Sequence, residues 1–543
     1  MLGRKAWTLC FISFLTGCSI TPKPASLDDR YAEARKDIAA IFDNQEKMGT
    51  RLDFYEAMAR GFKHNLDYRI KLANNALQMG QLKLAEFAMF PALNATGSLY
   101  TRNNDLSSSS VTSSGQISGI SNSTPRTLLS ERVEISWNVL DFGLNYVKAQ
   151  QQADRQLAAR TEAHRQMQQL AQDVLTAYWE AYSAQELILH TNEFQKTLNE
   201  AAQQMELAIR DKTIPQENIL HYREALLNGE RHLLQLKFKY DKAMYDLKHL
   251  LSLPLEARFR LEPPPSALFK TPDLKNLNFR KLDAITLVNR PELEGQHYQE
   301  QIAKLGVRAA ILQALPGLTV NEGWNYNSNK FLLNAWWIDR SANIAWNLIN
   351  LASLPTSIHS AEDQVAYERM KKMAMTLGIL TETRYAFSHY QSLRSEYVVA
   401  KKQTENANAI FTLEKNRQRA SLTSNQQVLM AEIQYLTAQM DRDLLMSDLS
   451  KSSGELYLSA GFDLLPKSVT DEPLDDIIKK VKKSIALRNQ MDLNDYVEIT
   501  YHRLFGEDLQ SPWKNHTPGL AALPDPWHTG LPVPLSDGTK YYS

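Results

Sequence analysis

From Asn145 to Lys212 the sequence contains neither proline nor glycine. Within that stretch Leu170, Val174, Tyr178 and Tyr182, then Phe194, Leu198, Ala201, Met205 and Ile209, recur every three or four residues, the spacing of one face of an amphipathic helix. At about 1.5 Å per residue an unbroken helix there measures on the order of 100 Å. No compact domain needs that length, so the chain is expected to span a distance.

Just upstream, Val133, Ile135 and Trp137 alternate with Arg132, Glu134, Ser136 and Asn138, which predicts a strand with one apolar and one polar face. Asp141-Phe142-Gly143 reads as the turn that joins this strand to the helix. Downstream, Thr213-Ile214-Pro215 marks a break, with Pro215 in the first turn of a second helix, where its missing N–H is not needed. In that second helix Ile219, Leu226, Leu233, Tyr240 and Leu247 fall every seven residues, with Leu220, Leu227 and Leu234 alongside. The two helices should therefore pack as an antiparallel coiled-coil hairpin. Leu253-Pro254 stops it, and Glu262-Pro263-Pro264-Pro265 makes a surface connection.

On the amino-terminal side, a helical segment is expected from about Leu52 to Met89, with Ala57, Leu66, Ile70, Leu77 and Leu84 as its apolar stripe. Phe90-Pro91 ends it. Leu93, Ala95, Gly97 and Leu99 then alternate with polar residues as a strand, and the Ser-, Asn- and Gly-rich run from Asn103 to Thr124 reads as a solvated loop.

The plan is then repeated. Asn65-Leu66-Asp67 and Phe90-Pro91-Ala92-Leu93 have counterparts in Arg290-Pro291-Glu292 and Leu315-Pro316-Gly317-Leu318, both displaced by 225 residues. Ser136-Trp137-Asn138-Val139 returns as Ala345-Trp346-Asn347-Leu348, displaced by 209, and the same 209 carries Pro215 onto Ser424 in Leu422-Thr423-Ser424. The strand-loop-strand unit in between is therefore shorter by 16 residues in the second copy, and its loop is where such a difference belongs. Each copy reads helix, strand, loop, strand, long helix, tip, long helix. The second supplies strands around Leu318, Val320 and Trp324 and around Ala342, Ile344 and Trp346, and a weaker heptad at Leu429 and Leu436 beside Val428 and Tyr435. The tail after Pro466, with one charged helical stretch from Leu474 to Leu487, has no role readable from sequence.

Arg4 and Lys5 precede an apolar run from Ala6 to Leu15, too short for a permanent membrane helix. Leu15-Thr16-Gly17-Cys18 resembles the lipobox of bacterial lipoproteins, which implies cleavage after Gly17, acylation of Cys18 and, with Ser19 next, an outer-membrane destination. An attached acyl chain holds the terminus at a membrane, since each buried methylene contributes about 0.8 kcal/mol. With Cys10 in the removed segment, the mature chain keeps one cysteine and no intrachain disulfide. The 61 basic and 61 acidic residues balance, so a nucleic-acid partner has no electrostatic support.

Four strands cannot close a barrel, and open sheet edges do not survive in lipid. Closure demands several chains, unless the strands form a small soluble sheet. The duplicated plan, the Trp137-Asn138-Val139-Leu140-Asp141-Phe142-Gly143 junction, the helix-ending Phe90-Pro91-Ala92-Leu93 and Leu315-Pro316-Gly317-Leu318, and the lipobox together resemble the TolC family of bacterial outer-membrane efflux proteins, over roughly Arg51 to Pro466. The resemblance implies a mainly α fold with a small transmembrane β part. Long helical hairpins would form a periplasmic α-barrel, and four strands per chain would complete a trimeric twelve-stranded β-barrel. Segment 1–17 is then the signal peptide, 18–50 a lipid-anchored extension, 51–265 and 266–466 the two repeats, and 467–543 a carboxy-terminal extension.

The function implied is passage across periplasm and outer membrane of cargo delivered by an inner-membrane transporter and a periplasmic adaptor. No cofactor or metal is implied. Adaptors of the family dock at the helix tips, here Thr213, Ile214, Pro215, Leu422, Thr423 and Ser424, although the glycine usual just before the tip is absent at Lys212 and Ser421. Aligning Val428-Leu429-Met430-Ala431 with the family's Val-Leu-Asp-Ala puts Met430 and Gln427 where gate aspartates stand in some members. Arg417 and Arg419 either make a basic constriction that favours anionic cargo or are ordinary solvated helix residues. Trp137 and Trp346 suit a membrane interface, or else pack between strands and helices.

The competing reading is a non-conducting periplasmic coiled-coil lipoprotein scaffold, which has no need of four symmetrically placed strands. An enzyme finds no support. The twelve histidines include no pair three or four apart, and no phosphate loop, Gly-x-Gly-x-x-Gly or Gly-x-Ser-x-Gly occurs.

Overall fold

The computed structural model describes residues 23–43, 45–211, 215–265, 277–462, 472–490 and 493–506. After α1 (Leu27–Phe42) and the two-residue β1 (Arg51–Leu52), the first repeat runs α2 (Phe54–His64), α3 (Leu66–Phe87), β2 (Ala92–Thr101), a small hairpin of β3 (Leu106–Ser108) and β4 (Ser121–Thr124), β5 (Thr127–Asn138), α4 (Val139–Arg210) and α5 (Gln216–Leu250). After β6 (Arg260–Leu261), the second runs α6 (Phe279–Asn289), α7 (Pro291–Gln313), β7 (Gly317–Asn327), β8 (Trp336–Ala345), α8 (Leu348–Arg419) and α9 (Asn425–Ser459). Two helices follow, α10 (Leu474–Gln490) and α11 (Leu493–Phe505).

The internal repeat holds residue for residue through the long hairpins. Both long helices have 72 residues and both return helices 35. Both α4 and α8 start from an asparagine cap: Asn138 Oδ1 accepts from the N–H groups of Leu140 and Asp141 at 3.0 and 3.2 Å, and Asn347 Oδ1 from those of Ile349 and Asn350 at 3.0 and 3.4 Å. That cap corrects one expectation. Asp141-Phe142-Gly143 is no turn but lies in the first turns of α4, where Asp141 also meets the positive end of the helix dipole.

The segment expected to be one helix from Leu52 to Met89 breaks at Asn65, whose backbone leaves the helical region. Asn65 Oδ1 accepts from Tyr68 N at 2.9 Å to start α3, and its Nδ2 donates to Leu250 O at 3.1 Å, tying the break to the end of α5. Arg290 occupies the same place in the second copy, with Pro291 opening α7. Pro215 is the residue just before α5 rather than in its first turn.

The run from Asn103 to Thr124 is exposed, as expected, but folded into a hairpin. Arg102 N donates to Arg126 O at 2.8 Å and Arg126 pairs with Asp105, so the ladder of β2 and β5 continues outward. Hydroxyls and amides bond across it, with Ser107 Oγ 2.6 Å from Asn122 Oδ1.

The main sheet has the order β2-β5-β7-β8, antiparallel throughout, and β1 pairs with β6 in parallel. Each repeat packs a core where its short helix meets the hairpin base: Phe54, Phe62, Val174, Tyr178 and Leu247 in the first, Leu282, Ile285, Tyr390 and Leu456 in the second. The tail joins both. Leu474, Ile477 and Val481 of α10 enter the first core, and Leu493 and Val497 of α11 the second. Glu46 fastens the incoming chain to α2 through Lys63 and through His64 Nε2 at 2.9 Å. Burial alone would raise that carboxyl, but the Lys63 and His64 contacts outweigh it and hold it at about 2. No helix among the described residues is long and apolar enough to cross a membrane.

Candidate functional site

Two regions at opposite ends of the long helices carry the predicted site residues. At the sheet, the strand period of two sorts side chains by chemistry. On one face lie Leu93, Ala95, Ile135, Val133, Trp137, Val320, Trp324, Ile338 and Ile344, nearly all exposed, together with one ion pair, Arg340 Nε to Glu322 Oε2 at 2.9 Å. The other face is polar, and on β5 and β7 it is the more shielded one, with Asn325 buried and Arg132 and Glu134 half-buried. Strands β2 and β8 leave their outer edges unpaired within the chain.

The polar face is not uniform. One rung aligns Asn94, Glu134, Gly323 and Asp339, and the next Thr96, Arg132, Asn325 and Trp337. Arg132 Nη1 donates to Asn325 Oδ1 at 2.8 Å and to Asp339 Oδ2 at 2.7 Å, and its Nη2 to Glu134 Oε1 at 2.9 Å. The guanidinium thus bridges β5 to β8 across β7. Gly323 makes this possible, because a Cβ there would stand 2.6 Å from Asp339 Oδ1 and 2.7 Å from Arg132 Cζ. In the sequence Arg132 and Glu134 are only the polar half of an alternation. Which β8 residue they face depends on register, which a single strand does not reveal.

At the sheet's helical end, Trp137 meets Phe142 edge-on at 5.8 Å, and Trp346 Nε1 donates to Ala314 O at 2.9 Å. Both indoles touch the strand-helix junction while staying partly exposed.

At the other end, α8 turns into α9 through Ala420 to Ser424. Ser421 has a φ of +58°, the left-handed conformation that glycine favours. Ser424 caps α9 by accepting from Gln427 N at 3.3 Å. Glu414 gathers the predicted residues: Arg417 Nη1 donates to its Oε1 at 3.0 Å and Thr423 Oγ1 to its Oε2 at 2.8 Å, while Gln427 contacts Thr423. Leu422 is exposed at the apex, Arg419 is exposed beside it, and Met430 packs partly into the helical core. In the first tip Pro215 is exposed, whereas Lys212, Thr213 and Ile214, like Cys18, lie outside the described residues. Two turns into α5, burial pushes the Tyr222 phenol up to about 12, so it stays neutral.

The heptads of α5 form two stripes rather than one. Leu226, Leu233 and Leu247 are buried against α4, but Leu220, Leu227 and Leu234, expected alongside them in the hairpin seam, are exposed. Packing on one neighbour consumes only one stripe of a helix.

No protein-family description matches the sequence, and no curated protein does either. Solved structures do. The outer-membrane channel OprN superposes with a TM-score of 0.61 at 16% identity, over 76% of this chain and 90% of its own. The CmeC outer membrane channel of Campylobacter jejuni gives 0.61 at 13% identity, over 86% and 98%. The open state of the Neisseria gonorrhoeae MtrE channel gives 0.60 at 15%, over 75% and 88%. The chain therefore has the fold of the TolC family of outer-membrane channels.

Proposed function

We propose that three copies of this chain form a passive exit duct across periplasm and outer membrane, with no enzymatic step. The observation that carries the proposal is the sheet: two open edges, one exposed apolar face and one polar face. In a closed twelve-stranded barrel the β2 edge of one copy pairs with β8 of the next, the apolar face meets lipid and the polar face lines water. The exposed stripe of α5 supports the same assembly. Within the chain, α9 packs on α4; by the repeat, α5 of one copy packs on α8 of the next, which exposes Tyr385, Val399 and Leu413 at fourteen-residue spacing.

The remaining roles follow from that arrangement. Trp137 and Trp346 sit at the periplasmic interface of the outer membrane. Cys18 carries the acyl anchor, in a Gram-negative outer membrane. A periplasmic adaptor meets the two tips, around Pro215 and Leu422-Thr423-Ser424, and an inner-membrane transporter supplies cargo and energy. The test is the oligomeric mass of the full-length protein in detergent, with conductance in planar bilayers on the same sample. A conducting trimer is expected. A non-conducting monomeric rod, under conditions where a known channel of this fold conducts, overturns the reading in favour of a lipoprotein scaffold.

A further inference from the structure

We infer that the two rungs around Gly323 form the selective belt of the duct, and that the belt prefers cationic over anionic solutes. This rests on the reading of the chain as a trimeric channel. Two independent features of the sheet point to these rungs.

One is bulk. On the polar face the rungs to either side hold Ser136, Asn321 and Ser341, then Asn138, Thr319 and Asn343, and outward Ser98, Ser130 and Asn327. Between them stand Glu134, Asp339 and Trp337, the largest side chains on these rungs that are free to reach inward, and only the outermost paired rung of this face, with Tyr100 and Leu128, is as bulky. A water-filled barrel is narrowest where its inward side chains are longest.

The other is how charge is held. Arg132 does not reach into the lumen but lies across the Gly323 notch, bonded to Glu134, Asn325 and Asp339. Its charge is spent on two carboxylates, which leaves one net negative charge per chain and a ring of like charges in a closed trimer. A ring of carboxylates in a narrow aqueous pore concentrates cations and repels anions. The tip differs. Arg417 is paired with Glu414 from its own helix, as in the reading of Arg417 and Arg419 as ordinary helix residues rather than as a basic constriction.

The test is the reversal potential of the full-length protein in planar bilayers under a potassium chloride gradient. Wild type is expected to favour potassium. The double variant Glu134→Gln/Asp339→Asn, confirmed as a trimer by mass, is expected to lower the potassium-to-chloride permeability ratio by about threefold or more, since Arg132 then stands without counter-charge. The variant Arg417→Gln/Arg419→Gln leaves the sheet untouched and is expected to change the ratio little. An anion-selective wild type, an unmoved ratio in the sheet variant, or a larger shift in the tip variant overturns the belt. Should the sheet variant not assemble, Asp339→Asn alone takes its place with the same criterion. Absence of any conductance in wild type overturns instead the channel reading on which the belt depends.

Discussion

Helices α5 and α9 have the same length, the same place in their repeats and different outer faces. On α5 the outward stripe is Leu220, Leu227, Leu234, Phe238 and Tyr245, exposed by 59%, 59%, 61%, 70% and 54%. The matching positions of α9, 209 residues on, are Leu429, Leu436, Asp443, Ser447 and Gly454. There Leu429, Ser447 and Gly454 are buried, and a Cβ on Gly454 would come within 2.7 Å of Gln172 Oε1 and Leu175 Cδ2 of α4. A serine-glycine stripe lets two backbones of one chain approach closely. Large apolar side chains on an open face call for a partner, and none of the described residues of this chain supplies one. The duplicated halves therefore kept their backbone and diverged in side-chain size, the α9 stripe being covered within the chain and the α5 stripe left open, where the proposed trimer would cover it.

The largest effect is expected from charging the open stripe. Leu227→Glu with Leu234→Glu leaves the internal packing of α5 alone, because its buried stripe is Leu226, Leu233 and Leu247. Burying a leucine is worth about 1.5–3 kcal/mol, and each of three equivalent joints loses two. The trimer should give way to monomer by mass in detergent, with helix content retained. A variant trimer as stable as wild type would detach the stripe from assembly.

The matching test on α9 strikes folding instead. Gly454→Leu forces α9 off α4 and should cost about 2–3 kcal/mol of stability, read from the midpoint of urea unfolding. Tyr245→Leu, the same position on α5, should leave that midpoint unchanged and weaken only the trimer. Equal effects of the two on unfolding would erase the distinction between the joints.

How much of this was readable beforehand depends on the range of the forces involved. Helix length, strand alternation and the 225- and 209-residue offsets lie in local periodicity, and Phe54 with Phe279 and Val139 with Leu348 begin matching helices as those offsets require. Asn138 at the start of α4 is legible too, since an asparagine cap before an apolar run is a local signal, whereas the Asp-Phe-Gly triplet after it has the composition of a turn. Two heptad stripes on α5 were both visible, but a heptad does not say which neighbour it serves. The bridge from Arg132 to Asp339 spans 207 positions and exists only through the register of three strands. The docking of α10 and α11 on α2 and α6 was equally hidden, because amphipathic helices carry no address.

A smaller effect separates the two breaks between short and long helices. Asn65→Ala removes both the α3 cap and the bond to Leu250 O, and should cost about 1–2 kcal/mol by urea unfolding. In the second copy, Arg290 holds the corresponding place through Glu292, at 3.1 Å, and Glu382, at 3.0 Å. Replacing it by methionine strands two carboxylates, together with one long bond from Nη1 to Leu458 O at 3.5 Å, rather than a helix cap. Its penalty should therefore shrink at high ionic strength, which screens ion pairs, whereas the Asn65 penalty should not.

The smallest expected effect compares two serines with left-handed backbones. Ser421 at the second tip has φ +58°, and Ser252, just past the end of α5, has φ +53°. The residue 209 after Ser252 is Gly461, with φ +69°, so the second copy uses glycine where the first uses serine. The strain of a side chain in this region is about 1 kcal/mol, which glycine relieves. Ser252 has a compensation, since its Oγ donates to His64 O at 3.0 Å and ties the end of α5 to the end of α2. Ser421 is exposed, and its Oγ makes no hydrogen bond to the described residues. Ser421→Gly should raise stability by about 1 kcal/mol, whereas Ser252→Gly should stay within about 0.5 kcal/mol of wild type, the relieved strain offset by the lost bond. Urea midpoints measured side by side decide it. An equal gain at both sites would mean that the Ser252 bond contributes nothing, and no gain at Ser421 would mean that the tip tolerates serine without strain.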